Sequence, residues 1–177
     1  MRDKFKSTPS GWTKERRFQR SGCDLPAYYS VQGSWKPARI ITISAGGAFL
    51  ACKPEKIQKD KIIEVQFQIN DKTISALGRV VWINPRKMKN RTGFPYPPGF
   101  AVEFERISAE ERAEIDQFVK KNLRILRTIA YELTQPNPDR EKIKELFLKL
   151  RPEDSLHLNH IKKVVKYELR HFRIRKQ

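Results

Sequence analysis

From Leu25 onward the chain alternates apolar and polar residues with a period of two, the signature of strands that bury one face. Leu25 to Val31, Trp35 to Ile43 and Ala48 to Cys52 read as three such strands. Ile63, Val65, Phe67 and Ile69 line one face of a fourth, and Asn70-Asp71-Lys72 supplies a hairpin turn into a fifth, Thr73 to Asn84. Pro85 ends that strand because it has no N–H to give to a ladder. A basic loop containing Pro and Gly, Arg86 to Pro98, leads to a final strand, Phe100 to Phe104. Short strands separated by turns, with no helix between them, predict a mainly β fold: a small six-stranded antiparallel barrel. Alternation along the second strand puts Thr42 and Ser44 on an outer polar face, with Ile41 and Ile43 turned to the core.

The period then changes to that of helices. Ser108-Ala109-Glu110-Glu111 is a capping box, and Ile115, Phe118, Val119, Leu123 and Leu126 follow on one side at helical spacing, a stripe suited to plugging a barrel mouth. Gln135-Pro136-Asn137-Pro138 stops that helix. Two more amphipathic stripes follow: Ile143, Leu146, Phe147 and Leu150, then Leu158, Ile161, Val165, Leu169 and Phe172. The expected organisation is a polar, flexible lead-in over 1–14, a barrel with its helix over 15–130, and a C-terminal helical extension over 131–177.

Charge changes the picture next. The 177 residues carry a formal net charge of +17, which favours anionic partners: nucleotides, nucleic acid or an acidic membrane face. The start, Met1-Arg2-Asp3-Lys4, lacks the apolar run of a secretory signal, and no window approaches the roughly 18 to 20 apolar residues of a transmembrane segment. Cys23 and Cys52 are too few for a metal site or a disulfide framework and read as free thiols. The three histidines, His157, His160 and His171, are confined to the last helix and have no nucleophile to serve. The expectation is a cytoplasmic protein that is not an enzyme and holds no metal.

Two segments carry the candidate chemistry. Arg16-Arg17-Phe18-Gln19-Arg20 packs three guanidinium groups into five residues, and guanidinium matches both phosphate and the O6/N7 edge of guanine with paired donors. Thr42-Ile43-Ser44-Ala45-Gly46-Gly47 puts hydroxyls and bare backbone at the end of a strand, where a ligand can approach closely. Arg16-x-x-x-Arg20 followed by Ser44-x-x-Gly47 resembles the paired motifs RxxxR and [D/N]xSxxG of the PilZ family of cyclic di-GMP receptors. The strands Gly78 to Trp82 and Gly99 to Phe104, with the helix after them, resemble the same family, so the likeness spans roughly residues 15 to 122.

The resemblance implies that cyclic di-GMP is the bound ligand, held by Arg16, Arg17 and Arg20 on one side and by Thr42, Ser44, Gly46 and Gly47 on the other. Trp82 either stacks on a guanine or belongs to the core. Thr42 departs from the pattern, since a single hydroxyl replaces the two donors of Asn or the two acceptor oxygens of Asp. The implied mechanism is capture of the dianion, ordering of the arginine-rich segment, and signalling to an unidentified protein partner through residues 131–177. Two alternatives stay open: a PilZ-fold adaptor that has lost its ligand, and a small basic barrel that binds nucleic acid.

Overall fold

The computed structural model describes residues 17–86, 88–89, 95–152 and 154–171. The lead-in, Arg16 and Phe172 lie outside the described residues.

Six strands close into an antiparallel barrel in the order β1-β2-β3-β8-β5-β4. They are β1 (Arg20–Val31), β2 (Ser34–Ser44), β3 (Gly47–Ala51), β4 (Ile62–Ile69), β5 (Lys72–Asn84) and β8 (Gly99–Arg106). The expected six-stranded barrel is therefore what forms. Asn70 and Asp71 both take positive φ, 48° and 64°, the geometry of a two-residue hairpin whose twist matches that of its strands. The stretch expected as a plain loop contains a small ribbon, β6 (Met88–Lys89) paired with β7 (Pro95–Tyr96). Two-residue strands are too short to show any periodicity, so the sequence pattern does not reveal them.

Inside the barrel the alternation is kept. Ile63, Val65, Phe67 and Ile69 of β4 are all buried, facing Ile74, Ala76 and Val80 of β5 and Phe100, Val102 and Phe104 of β8. Tyr29 meets Phe100 edge to face, with ring centroids 5.1 Å apart. On β2 the expectation needs correction. Ile43 is fully buried, but its core companion is Ile40; Ile41 is only half-buried and stays out of the cluster. The cause is a bulge between Ile40 and Thr42, which shifts the register against β3 by one residue. A bulge inserts one residue and so reverses the parity on which the alternation argument rests.

The capping box is present: Ser108 Oγ accepts from Glu111 N–H and Glu111 Oε2 accepts from Ser108 N–H, each at 3.1 Å. It opens α1 (Ala109–Glu132), which buries Ile115, Val119, Leu123, Leu126 and Ile129, while Phe118 is half-buried. Glu111 Oε1 also accepts from Ser75 N–H at 2.8 Å and ties the helix start to β5. Two further helices, α2 (Arg140–Leu150) and α3 (Leu158–His171), pack on α1. Their apolar stripes join those of α1 and the barrel in one continuous core.

Candidate functional site

The two motifs meet at one end of β1. Arg20 is the first residue of that strand and stands directly opposite Ser44, the last residue of β2. Ser44 is in turn opposite Gly47 on β3, and Gly47 opposite Glu103 on β8. Residues opposite one another in antiparallel strands share a face, so Arg20, Ser44, Gly47 and Glu103 form a row across the outside of the barrel. The guanidinium groups of Arg17 and Arg20 are exposed at the edge of this row.

The turn between β2 and β3 is braced from within. Ser44 Oγ donates to the Gly47 carbonyl at 3.2 Å and accepts from the Gly46 N–H at 3.3 Å. Ser44 is 3% exposed, so its hydroxyl shapes the turn. Gly47 has no room for a side chain, because a Cβ there would fall 2.2 Å from the Val102 carbonyl oxygen on β8. Both motif residues thus shape the turn and seat it against β8.

Two residues that the motif argument missed complete the place. The Phe18 ring, in the middle of the arginine run, lies against Gly46 so closely that a Cβ there would be 2.5 Å from it. Arg112 of α1 reaches back to the same turn, donating from Nη1 to the Ala45 carbonyl at 2.5 Å and standing 5.7 Å from the Phe18 ring centroid. The signal for Phe18 was available: one aromatic among four polar residues has something to pack on. Arg112 carries no sequence signal, because only the fold brings the first turn of α1 back to the β2–β3 turn.

Thr42 is buried and stands opposite Gly22 on β1, where the chain is again bare. The Glu168 carboxylate of α3 fills that space, accepting from the Gly22 N–H at 3.0 Å and from Arg151 Nη2 at 2.5 Å. Thr42 and Glu168 thus share the Gly22 rung, one across the ladder and the other on its N–H; Thr brings no charge there, whereas an Asp would add a buried carboxylate to that rung.

Trp82 is not drawn into the row. It packs against Phe49, ring centroids 5.6 Å apart, with Ala101 between them in the ladder. Strand spacings put it about 12 Å from Gly47 along the sheet. Among the other residues singled out, Cys23 is fully buried and its thiol donates to the Ile40 carbonyl at 3.3 Å; burial pushes its pKa up strongly. His160 stands edge-on to Phe147, with its Nε2 3.6 Å from Asp154. Among the described residues no cluster of ligating side chains suits a metal ion, and no helix is long and apolar enough to cross a membrane.

The model of the PilZ domain family matches residues 14–121, more than half of the chain. The chain belongs to the PilZ family. No curated protein matches it. Among solved structures it is similar to the Escherichia coli YcgR PilZ domain bound to c-di-GMP, at 17% identity and a TM-score of 0.51, covering 65% of this chain and 96% of that one. It is also similar to E. coli YcgR in complex with c-di-GMP (14%, TM-score 0.52, 67% of this chain and 50% of that one). A third neighbour is the Bacillus subtilis inhibitor of motility MotI (14%, TM-score 0.51, 61% and 51%). The chain spans about half the length of the last two. At these identities the likeness establishes the fold, and the family model establishes membership.

Proposed function

We propose that this PilZ protein is a receptor for cyclic di-GMP that binds the dinucleotide without transforming it. The observation that carries the reading is the pairing of Arg20 with Ser44, which brings the arginine segment and the glycine turn, far apart in sequence, to one spot on the barrel surface. Arg16, Arg17 and Arg20 supply guanidinium groups to phosphates and guanine edges. Thr42, being buried, contributes little to a ligand at the surface. The two YcgR neighbours are c-di-GMP complexes on the same fold, which supports the reading.

Arg17 to Arg20 already lie against the barrel through Phe18 and the first rung of β1. Binding therefore re-seats Phe18 and Arg20, which are already in place on the barrel. The output element is the helical extension. Among the described side chains of α3, those exposed to solvent are Asn159, Lys162, Lys163, Lys166 and Arg170, four cations without a carboxylate, a face suited to an acidic protein partner.

Isothermal titration of cyclic di-GMP at physiological salt, with GTP and cyclic di-AMP as controls, tests the receptor reading. Low-micromolar or tighter guanine-selective binding, lost in the Arg16→Ala/Arg20→Ala variant, is the expected result. No heat up to ~100 μM, weaker than about −5.5 kcal/mol, overturns it in favour of a ligand-free adaptor.

A further inference from the structure

Phe18 is an anomaly in an arginine clamp. Its ring is 38% exposed, yet it is fitted to the one stretch of turn backbone with no side chain, and a guanidinium is held over it. Arg112 is not aimed there by Phe18 alone. Its hydrogen bond to the Ala45 carbonyl fixes the guanidinium beside the turn whatever lies beneath it, and that bond uses only one of the five N–H donors. The three parts define a slot beside the turn: its walls are the backbone at Gly46 and the Arg112 guanidinium 5.7 Å from the ring centroid, and the Phe18 ring occupies it. A slot of that make-up takes any flat π system, and a purine suits it better than phenyl. A guanine keeps the attraction between cation and ring and offers it a wider π face than phenyl does.

We infer that the slot between Gly46 and Arg112 is a purine-stacking subsite that the protein fills with its own Phe18, and that a nucleotide ligand enters by displacing the ring. The inference deepens the receptor reading and rests on it. Phe18 lies between Arg17 and Arg20, so the ring cannot leave without re-seating the arginines beside it. Base capture and movement of the arginine segment are one event. Arg112 belongs to α1, the helix that α2 and α3 pack on, so the base would touch the element that carries the extension. Self-occupancy also lowers apparent affinity by the fraction of molecules whose slot is open, which makes Phe18 a setting of the response threshold.

The test is titration of cyclic di-GMP into the full chain, wild type against Phe18→Ala, Arg112→Ala and Arg112→Lys. A parallel sample carries 4-fluorophenylalanine at position 18 alone. Removing the occupant should tighten binding roughly three- to tenfold. Arg112→Ala should weaken it at least ~10-fold, and Arg112→Lys should fall between, since a point charge keeps the attraction but not the planar donors. The fluorine resonance should shift on saturation with the same midpoint as the heat. If the wild type binds and Phe18→Ala binds equally or less tightly, or the fluorine signal does not move, Phe18 is a fixed staple and the inference falls while the receptor reading stands. If the wild type binds nothing, the receptor reading itself falls. Melting of each variant separates loss of binding from loss of fold.

Discussion

At two glycines on the outer surface of the barrel, Gly22 and Gly46, another part of the chain presses on bare backbone, and the two differ in what presses. At Gly46 it is a neutral ring, partly exposed, under a cation. At Gly22 it is a buried ion pair from the helical extension, with Glu168 2% exposed and accepting from the strand's own N–H. The first contact is of the size that a ligand can replace: a partly exposed ring and one cation–π attraction, together about 1 kcal/mol. The second cannot be opened without stranding charge out of water. Two residues apart on β1, Arg20 and Gly22 therefore mark the boundary between a replaceable surface and a permanent seam.

The strongest way to break the comparison is to remove one partner of the ion pair. Glu168→Ala leaves Arg151 without its main carboxylate and Gly22 without an acceptor. A loss of roughly 3 to 5 kcal/mol is expected, seen as a fall in Tm of about 10 °C for a chain of this size. Glu168→Gln, which keeps an acceptor for Gly22, should recover part of it. A fall in Tm of less than about 2 °C for Glu168→Ala would make the seam as soft as the Phe18 contact.

Next in size is the pair Gly22→Ala and Gly46→Ala. At Gly22 a methyl would lie 2.2 Å from both Arg151 Nη2 and Glu168 Oε1, so about 1 to 3 kcal/mol should be lost in urea unfolding. At Gly46 the nearest atoms to the methyl all belong to the Phe18 ring, which can swing away, and less than ~1 kcal/mol should be lost. Equal losses would dissolve the distinction.

Features that act within a few residues are legible in the sequence, and contacts that only the fold brings together are not. β4 and the capping box follow from period-two burial and from local side-chain-to-backbone bonding, both of which act within a few residues. The convergence of Arg20 on Ser44 was legible through a family pattern, because motif order survives where distance is not written. The parity of Ile41 was misread, since a bulge leaves no mark in an alternation of apolar residues. Phe18 was legible only as an oddity. Arg112 and Glu168 act on the barrel across 67 and 146 positions of sequence, and nothing in their neighbourhoods announces it.

The smallest effect sharpens the seam by pH. Cys23 adjoins Gly22, and burial first, with the Glu168 carboxylate adding to it, pushes its thiol pKa well up from the ordinary 9.0; Arg151 pulls the other way and does not prevail. A raised folded pKa means that the native state keeps its proton longer than the unfolded chain. Stability from this group is complete well below pH 9 and declines above it, by on the order of 1 kcal/mol at pH 10. Urea midpoints at pH 7.5 and 10 should show that decline, and Cys23→Ala should reduce it, the remainder coming from Cys52 and Tyr29, whose pKa values burial also raises. Alkylation of Cys23 in the native protein at pH 8 should be as slow as global unfolding.

The seam at Gly22 also says how this barrel and its extension travel together. The PilZ family match ends at residue 121, inside α1, whereas the contacts that close the barrel's outer face run on to Glu168. Transplanting the extension onto another PilZ barrel would require more than a cut at a domain border. The host must offer a glycine where Gly22 stands and an uncharged residue where Thr42 stands. A host with Asp in its motif would meet Glu168 as a like charge. Thr42 is thus the acceptance mark of a graft, and the residue to change first in any host meant to carry these helices.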